Sequence, residues 1–295
     1  MANPFPSPFV VEAQTSHTHT AILLHGLGGH GEHFGTELIA SATSSGQHRT
    51  LQEVFPGMKF LFPTSRRTRS TVFKRAKVNQ WFDISSLDDR THGEEVGIDG
   101  LAETSNYIRG LIQIEIENGI PAKCILLGGL SQGLAASLYT LLTLNPQLQI
   151  GAYIGMSGYF PFVKDIEKII QGEEDDIGSD DIFGTEDDEA DSTVAQQTKG
   201  ETNLATQAVN FVRENIDLSP LEPSATLSCL DIPVFIGHGE LDERVSLETG
   251  KRARDALQAM GMNVTWHQYA NLGHWYKVPD EIDDIVEFIQ QWLEF

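Results

Sequence analysis

Residues 129 to 133 read Gly-Leu-Ser-Gln-Gly, a hydroxyl framed by glycines in the pattern G-x-S-x-G. A serine hydroxyl is a poor nucleophile until a nearby base takes its proton, so Ser131 needs a histidine and a carboxylate to be chemically useful. Its surroundings suit such a role. The apolar run CILLGG enters the motif and the helix-forming stretch QGLAASLYTLL leaves it. A strand turning sharply into a helix presents the serine on a strained elbow, where side chains at 129 and 133 would collide with the flanking elements. The helix starting after Ser131 also turns its positive dipole end toward an oxyanion forming there. The chemistry implied is nucleophilic acyl transfer. The competing reading is a glycine-rich strand-to-helix turn with an incidental serine.

The partners should lie downstream, the acid at a strand end and the histidine in a loop before a helix. Asp242 meets the first condition, after the apolar run IPVFIGHG and within His238-Gly239-Glu240-Leu241-Asp242. Glu240 is the nearest rival, and a solvated turn carboxylate is the plain alternative. Of the ten histidines only His238, His267 and His274 follow Ser131. His238 belongs to the HGELD turn and His267 falls inside a predicted strand. His274, in Asn271-Leu272-Gly273-His274, lies on a glycine-bearing loop before the last helix. Its expected role is general base toward Ser131 and then general acid toward the leaving group, with Asp242 holding its tautomer. An oxyanion hole needs backbone N–H groups. The residue after the nucleophile, Gln132, supplies one, and Leu27 in His25-Gly26-Leu27-Gly28-Gly29 is expected to supply the other. His25, His30 and His33 invite a metal reading, but no carboxylate or cysteine cluster of ligand spacing accompanies them, so neither metal nor cofactor is expected.

These residues need a scaffold that holds them together. TAILLHG (20 to 26), MKFLFP (58 to 63), CILLGG (124 to 129), IGAYIGMS (150 to 157) and IPVFIGHG (232 to 239) are short continuous apolar runs, and VTWHQY (264 to 269) is a sixth, less apolar one. Continuous rather than alternating hydrophobicity suits parallel strands covered on both faces. Helical patterns lie between them over 100 to 118, 132 to 144 and from near Pro279 onward, the last carrying Ile282, Ile285, Val286, Ile289 and Leu293 on one side. The expected fold is therefore α/β, a mostly parallel central sheet with helices on both faces, in one domain over residues 1 to 295. The first 16 residues read as an irregular lead-in. Residues 172 to 198 carry 11 carboxylates and no Lys or Arg, half of the whole chain's net charge of −22, and are expected to form a flexible acidic insertion.

Composition narrows the partners. So acidic a chain is repelled by nucleic-acid phosphates and anionic lipid surfaces, which speaks against nucleic-acid binding. No apolar run approaches the ~18 residues of a membrane span, so no stable membrane insertion is expected. The opening MANPFPSPFVVEAQ has no positive segment followed by an apolar one, and Ala2 does not suit myristoylation, so neither a secretory signal nor that lipid is expected. Two cysteines, Cys124 and Cys229, are no disulfide framework and point to a reducing compartment, the cytoplasm or with it the nucleus. Cys124 is expected to be a buried strand residue and not a nucleophile.

Taken together, LLHGLGG (23 to 29), WFD (81 to 83), GIPAKCILLGGLSQG (119 to 133), the following LYT and LTL, HGELDERV (238 to 245) and the His274 loop resemble the acyl-protein thioesterase, lysophospholipase and carboxylesterase family of small α/β-hydrolases. The segments span nearly the whole chain in family order. The resemblance implies the triad Ser131, Asp242, His274 and the oxyanion donors Leu27 and Gln132. It implies as substrate an acylated protein, a lysolipid or a small ester, and an apolar acyl groove near the triad. Tyr159, Phe160 and Phe162 are candidate walls of that groove, with Trp81 of the WFD segment on the substrate side; the aromatics read equally well as core. Three departures stand out: Leu130 where the family carries Phe, the basic run SRRTRSTVFKRAKVNQ read as a longer loop before WFD, and the acidic stretch after residue 171. A non-catalytic binding protein keeping the same fold is the alternative from another class.

Overall fold

The computed structural model describes residues 4–44, 48–172 and 195–295. Along the chain run β1 (Phe9–Val11), β2 (His19–Leu24), α1 (Gly31–Ala40), α2 (Leu51–Val54), β3 (Met58–Phe62), β4 (Arg67–Arg69), β5 (Lys77–Asn79) and α3 (Ile98–Glu117). Then come β6 (Ile125–Leu130), α4 (Gln132–Leu142), β7 (Ala152–Met156), α5 (Val163–Gln171), α6 (Ala195–Glu214), β8 (Val234–Gly239), α7 (Leu247–Ala259), β9 (Val264–Tyr269) and α8 (Asp280–Trp292). The main sheet has the order β1-β3-β2-β6-β7-β8-β9. Every neighbouring pair in it is parallel except β1 with β3.

The two-residue period of a strand divides its side chains between two cores. On one face Ile22, Leu24, Ile125, Leu127, Tyr153, Val234 and Ile236 pack with residues of α3 to α7; on the other Ala21, Leu23, Leu126, Ala152, Ile154 and Phe235 pack with residues of α1, α2 and α8. Each fully buried Leu, Ile or Phe contributes roughly 1.5–3 kcal/mol, so both faces hold the sheet. α8 follows the predicted stripe, with Ile282, Ile285, Phe288 and Ile289 buried. Among the described residues no helix is long and apolar enough to cross a membrane.

Four expectations change. Cys124 is half-buried in a short turn just before β6 rather than buried in the strand. The lead-in contains β1, whose Phe9 pairs with Phe62 and packs ring to ring at 6.2 Å. Three residues are too few to show a period. The basic run before WFD is not a plain loop: Thr68 pairs with Val78 in an antiparallel hairpin of β4 and β5, closed by a turn with Lys74 and Arg75 at positive φ. Its charges alternate outward on a two-stranded ribbon that buries little, so no hydrophobic pattern betrays it. Of the acidic insertion, residues 173–194 lie outside the described residues, while 195–198 belong to α6 rather than to an irregular segment.

Candidate active site

Parallel strands all deliver their loops to the same edge of the sheet, and that carboxyl edge is where open α/β sheets carry their sites. Ser131 directly follows β6, Leu27 follows β2, Asp242 follows β8 and His274 follows β9. The elbow is tight. Ser131 has φ 57° and ψ −118°, a conformation a side chain rarely adopts, costing of order 1–3 kcal/mol. Its N–H donates to Met156 O at 2.8 Å and so ties the elbow to β7. A Cβ at Gly129 would meet the Gly133 backbone at 2.5 Å, and one at Gly133 would meet Leu24 O at 2.2 Å. Both glycines are therefore required by backbone contact.

The structure brings the three predicted side chains into one chain of hydrogen bonds. His274 Nε2 lies 2.8 Å from Ser131 Oγ, and His274 Nδ1 lies 2.8 Å from Asp242 Oδ2. With Nδ1–H donating to the carboxylate, the lone pair of Nε2 faces the serine hydroxyl, the geometry a general base needs. Asp242 Oδ1 accepts the N–H groups of Arg244 and Val245, both at 2.9 Å. Burial pushes the Asp242 carboxyl up, but the hydrogen bond from His274 and the two amides outweigh it and hold the group below its ordinary value. The acid thus stays ionised.

The rivals lie elsewhere. Glu240 is exposed and accepts Gln268 Nε2 at 2.6 Å. His267 Nδ1 pairs with Asp284 at 2.9 Å. His238 is fully buried and donates Nε2–H to Val245 O at 2.9 Å, with Asp242 Oδ2 at 3.4 Å. Burial holds it below the ordinary histidine range, so it braces the Asp242 turn as a neutral ring.

The loop 25–29 is braced from the outside. Gly28 N–H donates to Asn79 O at 2.7 Å, Gly29 N–H to Gly26 O at 3.0 Å, and Asn79 Nδ2 to Gly29 O at 2.8 Å. Leu27 N–H is left without a backbone acceptor among the described residues. Gln132 N–H is the first amide of α4 and has no intrahelical partner either. The Gln132 side chain is spent on scaffolding: Oε1 accepts Trp81 N–H at 3.0 Å and Nε2 donates to Phe82 O at 2.8 Å. His25 donates Nδ1–H to Gly26 O at 2.7 Å and accepts Ser65 N–H on Nε2 at 3.0 Å. Burial pushes it down to about 4, so it stays neutral with this tautomer. Both its ring nitrogens are committed, and His30 Nδ1 accepts Glu32 N–H as a helix cap.

Trp81, expected on the substrate side, makes a supporting contact. It is buried, and its Nε1–H donates to His25 O at 2.7 Å beneath the loop. Phe160 is corrected to core, 1% exposed within the larger cluster. Tyr159 and Phe162 are also buried, but they edge a crevice with Phe82, Ile84 and Leu101. That crevice has a volume of only about 10 Å³, close to the room one water takes. At its rim Glu94 Oε1 accepts Phe162 N–H at 2.6 Å, and Arg90 stacks 5.5 Å over the Tyr159 ring. Burial pushes the Glu94 carboxyl up to about 7 despite that amide, with Asp165 adding to the effect. The supporting roles of Asn79, Gln132 Nε2 and His238 have no signal in the sequence, because nothing in residue type or spacing says which loops meet.

Residues 6–220 match the phospholipase/carboxylesterase family. Residues 191–295, which carry Asp242 and His274, also match the prolyl oligopeptidase family, over about a third of the chain. Similar proteins include acyl-protein thioesterase 1 of Gibberella zeae, 27% identical over 97% of this chain and 96% of that protein, and acyl-protein thioesterase 1 of Yarrowia lipolytica, 28% identical over 97% of each. Among solved structures, acyl-protein thioesterase 2 of Zea mays superposes with a TM-score of 0.60 at 22% identity, over 96% of this chain and 97% of that one. SOBER1 of Arabidopsis thaliana gives 0.61 at 21%, over 93% and 98%. Those two likenesses establish the fold; the match over 6–220, well over half the chain, establishes more. The chain belongs to the phospholipase/carboxylesterase family of α/β-hydrolases.

Proposed function

We propose that this protein hydrolyses acyl thioesters and esters through Ser131, and that its natural substrates are acylated proteins. The observation that carries the reading is the unbroken pair of 2.8 Å contacts from Ser131 Oγ to His274 to Asp242. Ser131 Oγ attacks the acyl carbonyl carbon as His274 Nε2 takes its proton. The oxyanion of the tetrahedral adduct accepts the N–H groups of Leu27 and Gln132. Collapse breaks the bond to the thiol or alcohol, which leaves with the proton from His274. Water, deprotonated by the same histidine, then attacks the acyl-serine and frees the carboxylic acid. The relatives named acyl-protein thioesterase match nearly the full chain, which supports a thioester substrate. Two free cysteines, one half-buried and one buried, suit a reducing cytoplasm.

A second reading, turnover of short-chain esters or lysolipids, is favoured by the narrowness of the crevice beside Tyr159 and Phe162. A fluorophosphonate probe tests the chemistry: it labels the wild type and spares Ser131→Ala, which loses hydrolysis by several orders of magnitude. Activity of Ser131→Ala within tenfold of wild type would overturn the assignment. Comparing palmitoyl thioester with acetyl ester turnover decides between the two substrate classes.

A further inference from the structure

Glu281 is a fully buried carboxylate that the mechanism above does not use. It stands in the first turn of α8, just past the loop that carries His274. Its Oε2 accepts Lys277 N–H at 2.8 Å, and its own N–H donates to Lys277 O at 2.9 Å. Among the described residues its Oε1 has no hydrogen-bond partner. That oxygen occupies the hollow over Gly237: a Cβ built there would lie 2.0 Å from it. Gly237 is in β8, the strand that leads to Asp242, and its carbonyl accepts Ser157 N–H at 2.8 Å. Ser157 Oγ in turn donates to Trp275 O at 2.8 Å, next to His274. The carboxyl therefore sits where the histidine loop, β7 and β8 are joined.

A charged carboxylate in this position would be badly solvated. One amide satisfies one oxygen, and the other faces a glycine backbone and the Tyr269 ring. Unpaired buried charge is costly enough that such a group keeps its proton instead. The surrounding titratable groups reinforce this. Asp280 and Asp284 lie on α8, and Asp284 binds Tyr269 OH at 2.7 Å and His267 at 2.9 Å, both from β9. On the loop, the Tyr276 hydroxyl is turned to Ser41, and the Lys277 ammonium reaches Ala270 O rather than Glu281. Burial first, then the negative field of Asp284, push Glu281 up to about 8 against the Lys277 amide.

We propose that Glu281 is a positioning residue for His274: its neutral carboxyl, packed over Gly237 and accepting the Lys277 N–H, keeps the histidine loop seated against the strand that leads to Asp242, and its ionisation loosens that loop and lowers turnover. The inference rests on the triad reading above. Its sign follows directly. A carboxyl that is neutral in the fold keeps the loop in place below its titration and fails above it, so kcat falls on the alkaline side while KM changes little.

The test is kcat and KM for a soluble acyl ester, corrected for spontaneous hydrolysis, from about pH 6 to 10, with melting temperature recorded at each pH. In wild type kcat falls through about pH 8 while the protein remains folded. Glu281→Gln supplies an acceptor of the same shape with no proton to lose, so its kcat stays level across that range. Glu281→Ala orphans the Lys277 N–H and opens a hollow, and lowers kcat roughly tenfold or more at pH 7 with KM little changed. An alkaline limb in Glu281→Gln that coincides with wild type overturns the proposal, as does an Ala variant that melts earlier yet turns over normally. If the Ala variant does not fold, the Gln profile decides. Absence of both hydrolysis and fluorophosphonate labelling in wild type at pH 7 would sink the hydrolase reading and this inference with it, which separates that failure from a silent Gln variant.

Discussion

The indole N–H of Trp81 donates to the backbone carbonyl of His25 at 2.7 Å, beneath the loop 25–29 that carries Leu27. This bond joins the WFD segment to the loop proposed to supply an oxyanion donor, and Gln132 clasps the same segment from the elbow side. Trp81→Phe keeps a large ring but removes the donor and leaves a buried carbonyl unpaired, at a cost of about 1–3 kcal/mol. The expected result is a lower melting temperature and a kcat reduced by roughly 10 to 100-fold, with KM nearly unchanged, because an oxyanion donor acts chiefly in the transition state. Steady-state kinetics check it. A large rise in KM at constant kcat would make Trp81 a substrate contact after all.

Asp242 and Glu240 stand two residues apart and only one reaches His274. Asp242→Asn reverses the hydrogen-bond polarity at Nδ1 and favours the wrong tautomer, so kcat falls by about 10³ to 10⁴-fold. Glu240→Gln exchanges an exposed partner of Gln268 and leaves kcat within about twofold, as exposed polar changes usually do. The reverse ranking would transfer the acid's role to Glu240.

The Ser131, Asp242 and His274 arrangement was legible because each member sits in a glycine-bearing turn soon after a predicted strand, and a parallel sheet sends all such turns to one edge. The two cores follow from the same runs. What was not legible depends on contacts between distant loops. Asn79 and His238 are ordinary polar residues in sequence, and Glu281 looks like one more acidic residue at a helix start beside Asp280 and Asp283. Aromatic type suits both a groove and a core, so sequence alone does not tell Phe160, which is buried in the core, from Tyr159 and Phe162, which are buried too but edge a crevice. The β4–β5 hairpin carries no apolar alternation, since its strands lie outside the main sheet.

His25 gives stability a pH dependence of definite sign. It is buried neutral, pushed down to about 4 chiefly by burial, whereas the unfolded chain's histidine titrates near 6.5. Between these values the unfolded state binds the proton and the native state does not, so stability is full above about 6.5 and is lost as pH falls toward 4. The loss from this group is of order 3 kcal/mol. Urea unfolding of wild type and His25→Asn at pH 7 and pH 4.5 isolates it: the gap between the proteins narrows at the lower pH. Parallel pH slopes would show that His25 is not the titrating group.

The last expectation concerns acyl-chain length. Phe162 is held at φ 58° with its N–H on Glu94, and it lines a crevice together with Phe82, whose carbonyl accepts a hydrogen bond from the side chain of Gln132, next to Ser131. Glu94 is pushed up to about 7, so around neutral pH it changes charge at the rim of that crevice. If acyl chains enter there, the ring must move aside, and each methylene that then leaves water gains about 0.8 kcal/mol. Phe162→Ala removes the obstacle and also some core packing, at roughly 3–5 kcal/mol in stability. The expected signature is selective: relative to wild type, kcat/KM rises for chains of about ten to sixteen carbons more than for acetyl. A parallel Glu94→Gln variant holds the rim neutral and removes any change in chain-length preference between pH 6 and 8. Both series are run as matched thioesters and esters, so that the leaving group and the chain are varied separately. Equal losses at every chain length in Phe162→Ala would assign the ring wholly to the core and place the acyl path on another side of Ser131.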